Sequence, residues 1–315
     1  MSVFDAEEYL RESIDSVLDQ KYVNIELIII NDGSVDGTNK IIKSYNDKRI
    51  KLYENKKNIG LTQSLNIGLD MCSGEYIARL DGGDLMVEDR LIKQLKYLDH
   101  NPKIAVIGSY FKCINEFGKE VNNINWPSGI KFNIYRALYG ENPVGHPGVL
   151  MRRDVITNVG RYRNKFYYSQ DIDLWLRIYS EGFLIDNIPE YLTLYRIHNN
   201  SISNVQNNQQ RKYQRLAFQD FYCKVVKKNI DERVINNYLN LLLFKNKKIC
   251  YKEINNIVKI FSSLHIALTK KLGLKDSEKY YYSQLCKNFE LDRFFNYKLY
   301  QLLIINFPHI MNKII

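Results

Sequence analysis

The chain has no uninterrupted apolar run long enough to cross a bilayer, and no signal peptide opens it. It is therefore not expected to span a membrane or to be secreted. Cysteines are few for the length: Cys72, Cys113, Cys223, Cys250 and Cys286 are widely spaced and form no paired motif. That excludes a disulfide scaffold or a zinc framework and reads as reduced thiols in a cytosolic protein. No nucleic-acid-binding module is visible, so no nucleic-acid partner is expected. No glycine-rich, basic phosphate loop follows the first strand, which argues against a nucleotidyltransferase. A complete first strand is missing too. Met1-Ser2-Val3-Phe4-Asp5 runs straight into a helical pattern, so at most the last residues of a strand are present. The sheet is expected to begin upstream, or Met1 to be internal to a longer protein.

What is present suffices for a large core. At 315 residues, 45% of them apolar, the chain holds one large domain or two smaller ones. Its net charge of +10 is uneven. Residues 1–204 carry 25 Lys+Arg against 27 Asp+Glu, a net of −2, while residues 205–315 carry 20 against 8, a net of +12. A composition shift to Asn, Gln and Ser around 199–210 marks the join. We therefore expect a domain over 1–204 and a basic helical region over 205–315.

Strand-like and helix-like patterns alternate through the first two-thirds, which predicts an α/β fold with a mostly parallel sheet flanked by helices. Helices are predicted over 5–20, 38–46, 60–71, about 91–98 and 172–179. Strands are predicted at 25–30, 50–53, 76–80, 104–108, 110–115, 149–151 and 192–196. The tail reads as helical, with stripes such as Leu239, Leu242 and Leu243.

Four segments carry chemistry. Asn31-Asp32-Gly33-Ser34-Val35-Asp36-Gly37-Thr38 follows the apolar run 25–30, at a strand's carboxyl end, where open α/β sheets bind ligands. Asp32 there can accept hydrogen bonds from a base or sugar, although a plain turn and helix cap would use the same residues. Arg79-Leu80-Asp81-Gly82-Gly83-Asp84 follows the 76–80 strand, and its carboxylates suit a hard cation bridging phosphates. Ser169-Gln170-Asp171-Ile172-Asp173 opens a helix, whose dipole favours an ionised Asp171 able to take a proton; either aspartate would also serve as a cap. Asn142-Pro143-Val144-Gly145-His146-Pro147-Gly148 suits an acceptor site, with His146 either a substrate contact or a loop residue. His198 follows the last predicted strand.

In this order and spacing, the chain resembles the family 2 glycosyltransferases, inverting enzymes of the GT-A fold. The resemblance rests on Ala6-Glu7-Glu8-Tyr9-Leu10, Asn31 to Thr38, Asn58-Ile59-Gly60-Leu61, Gly74-Glu75-Tyr76-Ile77-Ala78-Arg79, Gln170-Asp171 and His198, and it covers about residues 1–204. It implies transfer of a hexose or N-acetylhexosamine from a nucleotide sugar, expected to be UDP-linked, to a glycan or polyprenyl-linked acceptor in bacterial surface-polysaccharide synthesis. By the resemblance, Asp171 is the catalytic base. Phe4, Asp5, Asp32, Arg79 and Asp81 meet the nucleotide. Asp81, Asp84 and His198 hold Mg²⁺ or Mn²⁺, and His146 and Asp173 face the acceptor.

Two positions depart from the family pattern. Gly83 stands where the metal-ligating carboxylate of an Asp-x-Asp motif belongs, and Gln170 replaces the usual Glu. With the shortened first strand, Gly83 opens an alternative: a degenerate protein that binds nucleotide sugar or partners without catalysis. The basic tail suits anionic lipid headgroups on the inner membrane face, or equally a helical bundle with a solvated basic face.

Overall fold

The computed structural model describes residues 1–21, 24–138, 141–197 and 207–227, and single positions beyond (229, 233, 264, 267 and 270–272). The apolar run becomes β2 (Leu27–Asn31), buried along its whole length and paired in parallel with β1 (Ser2–Val3) on one side and β3 (Ile50–Glu54) on the other. α1 (Leu10–Leu18) covers this sheet with Leu10, Ile14 and Val17, spaced to share one helical face. α2 (Thr38–Lys43) connects the parallel strands β2 and β3, and α3 (Leu61–Met71) follows β3.

A second, mixed sheet continues the fold. It contains β4 (Tyr76–Ala78), β5 (Leu85–Met86), β6 (Ile104–Ile114), β7 (Glu120–Ile124), β8 (Leu150–Arg152) and β9 (Leu184–Arg196). The order is β4-β8-β6-β9-β5, with β7 added to β6. Only β6 and β9 are parallel here; the other pairs are antiparallel. The parallel pattern expected from the sequence thus holds for β1–β3 and the β6–β9 pair. The two strands predicted at 104–108 and 110–115 are one, β6, whose register against β9 slips around Ser109 and Tyr110. That bulge breaks the alternation that the sequence displays. α4 (Arg90–His100), α5 (Ile130–Leu138), α6 (Arg153–Asn158) and α7 (Gln170–Ser180) fill the faces.

α7 lies at the centre of the core: Leu174, Trp175, Ile178 and Tyr179 are fully buried. α8 (Asn207–Val226) packs on it through Ala217, Phe218, Phe221 and Tyr222, so the first helix of the expected C-terminal region shares this core. A cavity of about 650 Å³ lies between β2 and β4, lined by Leu65, Gly68 and Leu69 of α3 among others. No described helix is long and apolar enough to cross a membrane.

Candidate active site

The loops after β1 and β2 are stitched together by their own side chains. Ser34 Oγ accepts the Asp5 N–H at 3.0 Å, and Asp5 Oδ1 accepts the Val35 N–H at 2.9 Å. Thr38 Oγ1 accepts the Ala6 N–H at 2.8 Å, and Asp36 accepts N–H groups from Glu7 and Thr38. Most of the Asn31–Thr38 motif therefore builds a rigid junction. Asp5 adopts φ +46, a left-handed conformation rare for a residue with a side chain, and the junction holds it there. Phe4 beside it is 47% exposed.

Asp32 is buried under the next loop. Its Oδ1 accepts from Asn55 Nδ2 (2.8 Å) and the Ile59 N–H (3.0 Å), and its Oδ2 from the Gly60 N–H (2.9 Å). Three of about four acceptor positions are filled, leaving room for one more donor. Gly33 permits this closeness: at φ +76 a Cβ would lie 2.5 Å from the Lys57 carbonyl carbon.

β4 delivers Arg79 and Asp81, which form an ion pair. Arg79 is buried, and its Nε and Nη1 have no hydrogen-bond partner among the described residues. The Asp81 carboxylate is 39% exposed. Asp84 turns inward instead. Its Oδ1 accepts the Arg196 N–H at 2.9 Å, and burial, reinforced by the nearby Asp81 charge, holds its pKa well above the carboxylate range. Gly83 (φ +106) donates its N–H to Ser13 Oγ, and its carbonyl accepts from Arg196 Nε.

Among the described residues, no three His, Cys, Asp or Glu side chains converge as a metal cage. His198 lies outside the described residues. One exposed carboxylate still fits the way Mg²⁺ and Mn²⁺ bind in phosphate chemistry, where substrate oxygens and water complete the shell. Among the acidic residues described above, Asp81 would be the one to hold such an ion, its carboxylate being part exposed and also paired with Arg79.

Asp171 stands in the first turn of α7, after Ser169 at φ +56. Asn142 Nδ2 donates to its Oδ2 at 2.9 Å. Burial raises its pKa, opposed by the Ile172 N–H, by Asn142 and by the positive charge of Arg79. A carboxylate so raised is a stronger base than a solvated one. Asp173, two residues on, is 1% exposed and held between Arg163 and Arg177, so it points into the protein and not toward an acceptor. His146 is buried, 2.7 Å from Tyr162 Oη, and edge-on to Trp175. Burial lowers its pKa well below 6.5, keeping the imidazole neutral.

Several sequence-predicted residues thus border one region. The Asp32 N–H donates to the Val3 carbonyl, and the Val3 side chain packs on Gly82 beside Asp81. Gly60, bonded to Asp32, lies against Tyr167, four residues before Asp171. The Arg79 charge reaches Asp171, His146 and Tyr162. The loops after β1, β2 and β4 and the entry to α7 therefore meet, while Asp84 and Asp173 face inward. Sequence reasoning missed Arg196, Tyr162 and the contact of Asn142 with Asp171. Arg196 had one signal: a cation at a strand end, two residues before His198.

Comparison with known proteins follows the same outline. Residues 1–160 match the family described as Glycosyl transferase family 2. A Haemophilus influenzae protein named "Uncharacterized glycosyltransferase" is 36% identical over 247 residues, 74% of this chain and 76% of the relative. The Escherichia coli "O-antigen biosynthesis glycosyltransferase WbnJ" is 34% identical over 248 residues, 77% of this chain and 92% of the relative. Among solved structures, S. aureus TarS 1–349 in complex with UDP-GlcNAc superposes with a TM-score of 0.57 at 15% identity, covering 86% of this chain and 81% of that one. That last likeness is one of fold.

Proposed function

The chain belongs to glycosyl transferase family 2 and has the GT-A fold, and from that premise we propose that it transfers a hexose or N-acetylhexosamine, with inversion, from a UDP-sugar to a glycan or lipid-linked acceptor in surface-polysaccharide synthesis. The polysaccharide setting is supported by the name of the E. coli relative, and the nucleotide-sugar donor by the ligand of TarS. The single observation that carries the mechanism is Asp171, a half-buried carboxylate of raised pKa at the start of α7, bordering the loops of Asp32 and Asp81.

In this reading Asp171 accepts the proton of an acceptor hydroxyl as its oxygen attacks the anomeric carbon. The new carbon–oxygen bond forms as the bond to the nucleoside diphosphate breaks on the opposite face, which inverts the centre. Asp32 uses its remaining acceptor position for the base. Arg79 and Asp81 border the diphosphate. A divalent ion held by Asp81 would offset charge on the departing diphosphate. Neutral His146, fixed by Tyr162, shapes the acceptor side without adding charge.

Asp171→Asn tests this. With membrane extract as acceptor and a panel of UDP-sugars, turnover should fall by about 10²–10⁴-fold, the usual contribution of a general base, with UDP affinity unchanged. Undiminished turnover removes Asp171 from its role. Gly83 and the inward Asp84 favour a second reading, a binding protein without catalysis. Wild-type protein that binds UDP but releases none from any UDP-sugar would establish it.

The net charge of +12 over residues 205–315 supports a further part of the proposal: peripheral attachment to an anionic membrane surface on the cytoplasmic side, where a polyprenyl-linked acceptor would lie.

A further inference from the structure

The segment carrying α5 is tied down more firmly than a surface connection requires. One buried carboxamide, Asn187 Nδ2, donates to both Pro127 O and Pro143 O at 2.9 Å, closing the segment at its two ends. Asp186 beside it accepts from the Gly129 N–H (2.7 Å) and Asn133 Nδ2 (3.1 Å), fixing the start of α5. From α5, Arg136 Nε reaches back to the Asn142 carbonyl at 3.0 Å, while its guanidinium lies 5.6 Å from the Trp126 ring centre and pairs with Glu141. Gly145 packs against Phe111 and Trp126, where any Cβ would collide. The Asn142 backbone is thus held from both sides, which leaves its side chain little choice of direction.

That direction is toward Asp171. The amide nitrogen donates to Oδ2, since the flipped orientation would set two oxygens against each other. The amide oxygen is buried without a hydrogen-bond partner among the described residues, which is unfavourable for a residue retained only for packing. An asparagine that leaves its oxygen unused and spends its nitrogen on one carboxylate is placed for that donation.

We propose that Asn142 is a positioning residue that aims the Asp171 carboxylate at the acceptor hydroxyl, and that the anchoring through Asn187 and Arg136 exists to hold it there. This rests on the reading of Asp171 as the base. The groups facing Asp171 are Arg79 from the loop after β4 and the phenol of Tyr162, with Asp173 on the same helix turned away into its pair with Arg163 and Arg177. Asn142 touches the carboxylate and is neutral, so its removal changes direction and hydrogen bonding without changing net charge.

The test is kcat and KM against pH for wild type, Asn142→Ala, Asn142→Asp and Asp171→Asn, using UDP release with membrane extract as acceptor. Asn142→Ala should lower kcat by about 10- to 100-fold, the scale of a misaimed catalytic group, with the KM for donor unchanged. Its acidic limb should move to higher pH, because a donor to the charged form has been lost. Asn142→Asp, of the same shape, should move the limb further by adding a like charge, and covers the case in which the alanine variant fails to fold. Wild-type kcat and limb in both Asn142 variants, with Asp171→Asn inactive, would overturn this inference alone. Activity in Asp171→Asn would overturn the base assignment and the inference with it.

Discussion

Arg196 shows how much one side chain can organise. Its guanidinium is fully buried, donates to the carbonyls of Gly83, Asn115 and Glu116 and to Glu12, and lies 4.2 Å from the Tyr9 ring centre. It therefore joins α1, the loop after β4 and the β6–β7 turn at one point. Arg196→Ala leaves three carbonyls without their donor and should cost about 1–3 kcal/mol in chemical denaturation. Arg196→Lys should recover only part of that, since an ammonium cannot reproduce the planar fork. Full stability in the alanine variant would show the clamp to be idle. The same scale explains what the sequence could reveal of the site. Asp32, Asp81 and Asp171 stood out because each follows a strand or opens a helix. Which way a carboxylate points was not legible. Asp171 and Asp173 differ by two residues, about 200° around a helix, so one borders the site while the other enters the core.

At the level of elements, the well-patterned pieces were legible: β2, β3, α1, α3, α4 and α7 fall where hydrophobic spacing put them, give or take a few residues. β7 and α5 were not predicted, because residues 116–138 lack a clean period of two or 3.6. The early half of β9 was missed because Pro189 and Glu190 interrupt its apolar run. α3 offers a direct test of packing around the β2–β4 cavity. Gly68 lies inside this helix, lines the cavity, and would place a Cβ 3.6 Å from Ile30 Cγ1, an ordinary contact. Gly68→Ala should stabilise by about 1 kcal/mol, from helix propensity with no clash to offset it. A lower melting temperature would mean that the added methyl is crowded against Ile30.

At the scale of the whole molecule, residues 1–204 are near neutral and residues 205–315 basic, and α8, at the start of the basic part, packs on α7. If the basic end meets lipid, the protein should sediment with phosphatidylglycerol vesicles, be released by about 0.5 M salt, and ignore phosphatidylcholine vesicles. Equal recovery with both lipids would leave the basic face to solvent. Loop identities and approximate strand ends were legible from the sequence at this scale, and the resemblance implied one shared site; the contacts that bring the loops together were not, because they link positions far apart in the chain, such as Gly60 with Tyr167 and Val3 with Gly82. The most direct measurement is a crystal structure of the protein with UDP and Mn²⁺. The uracil is expected against Asp32 and Gly60 and the diphosphate beside Arg79 and Asp81, with Asp171 facing the open side where a sugar would extend. Nucleotide bound elsewhere, for instance in the cavity between β2 and β4, would contradict it.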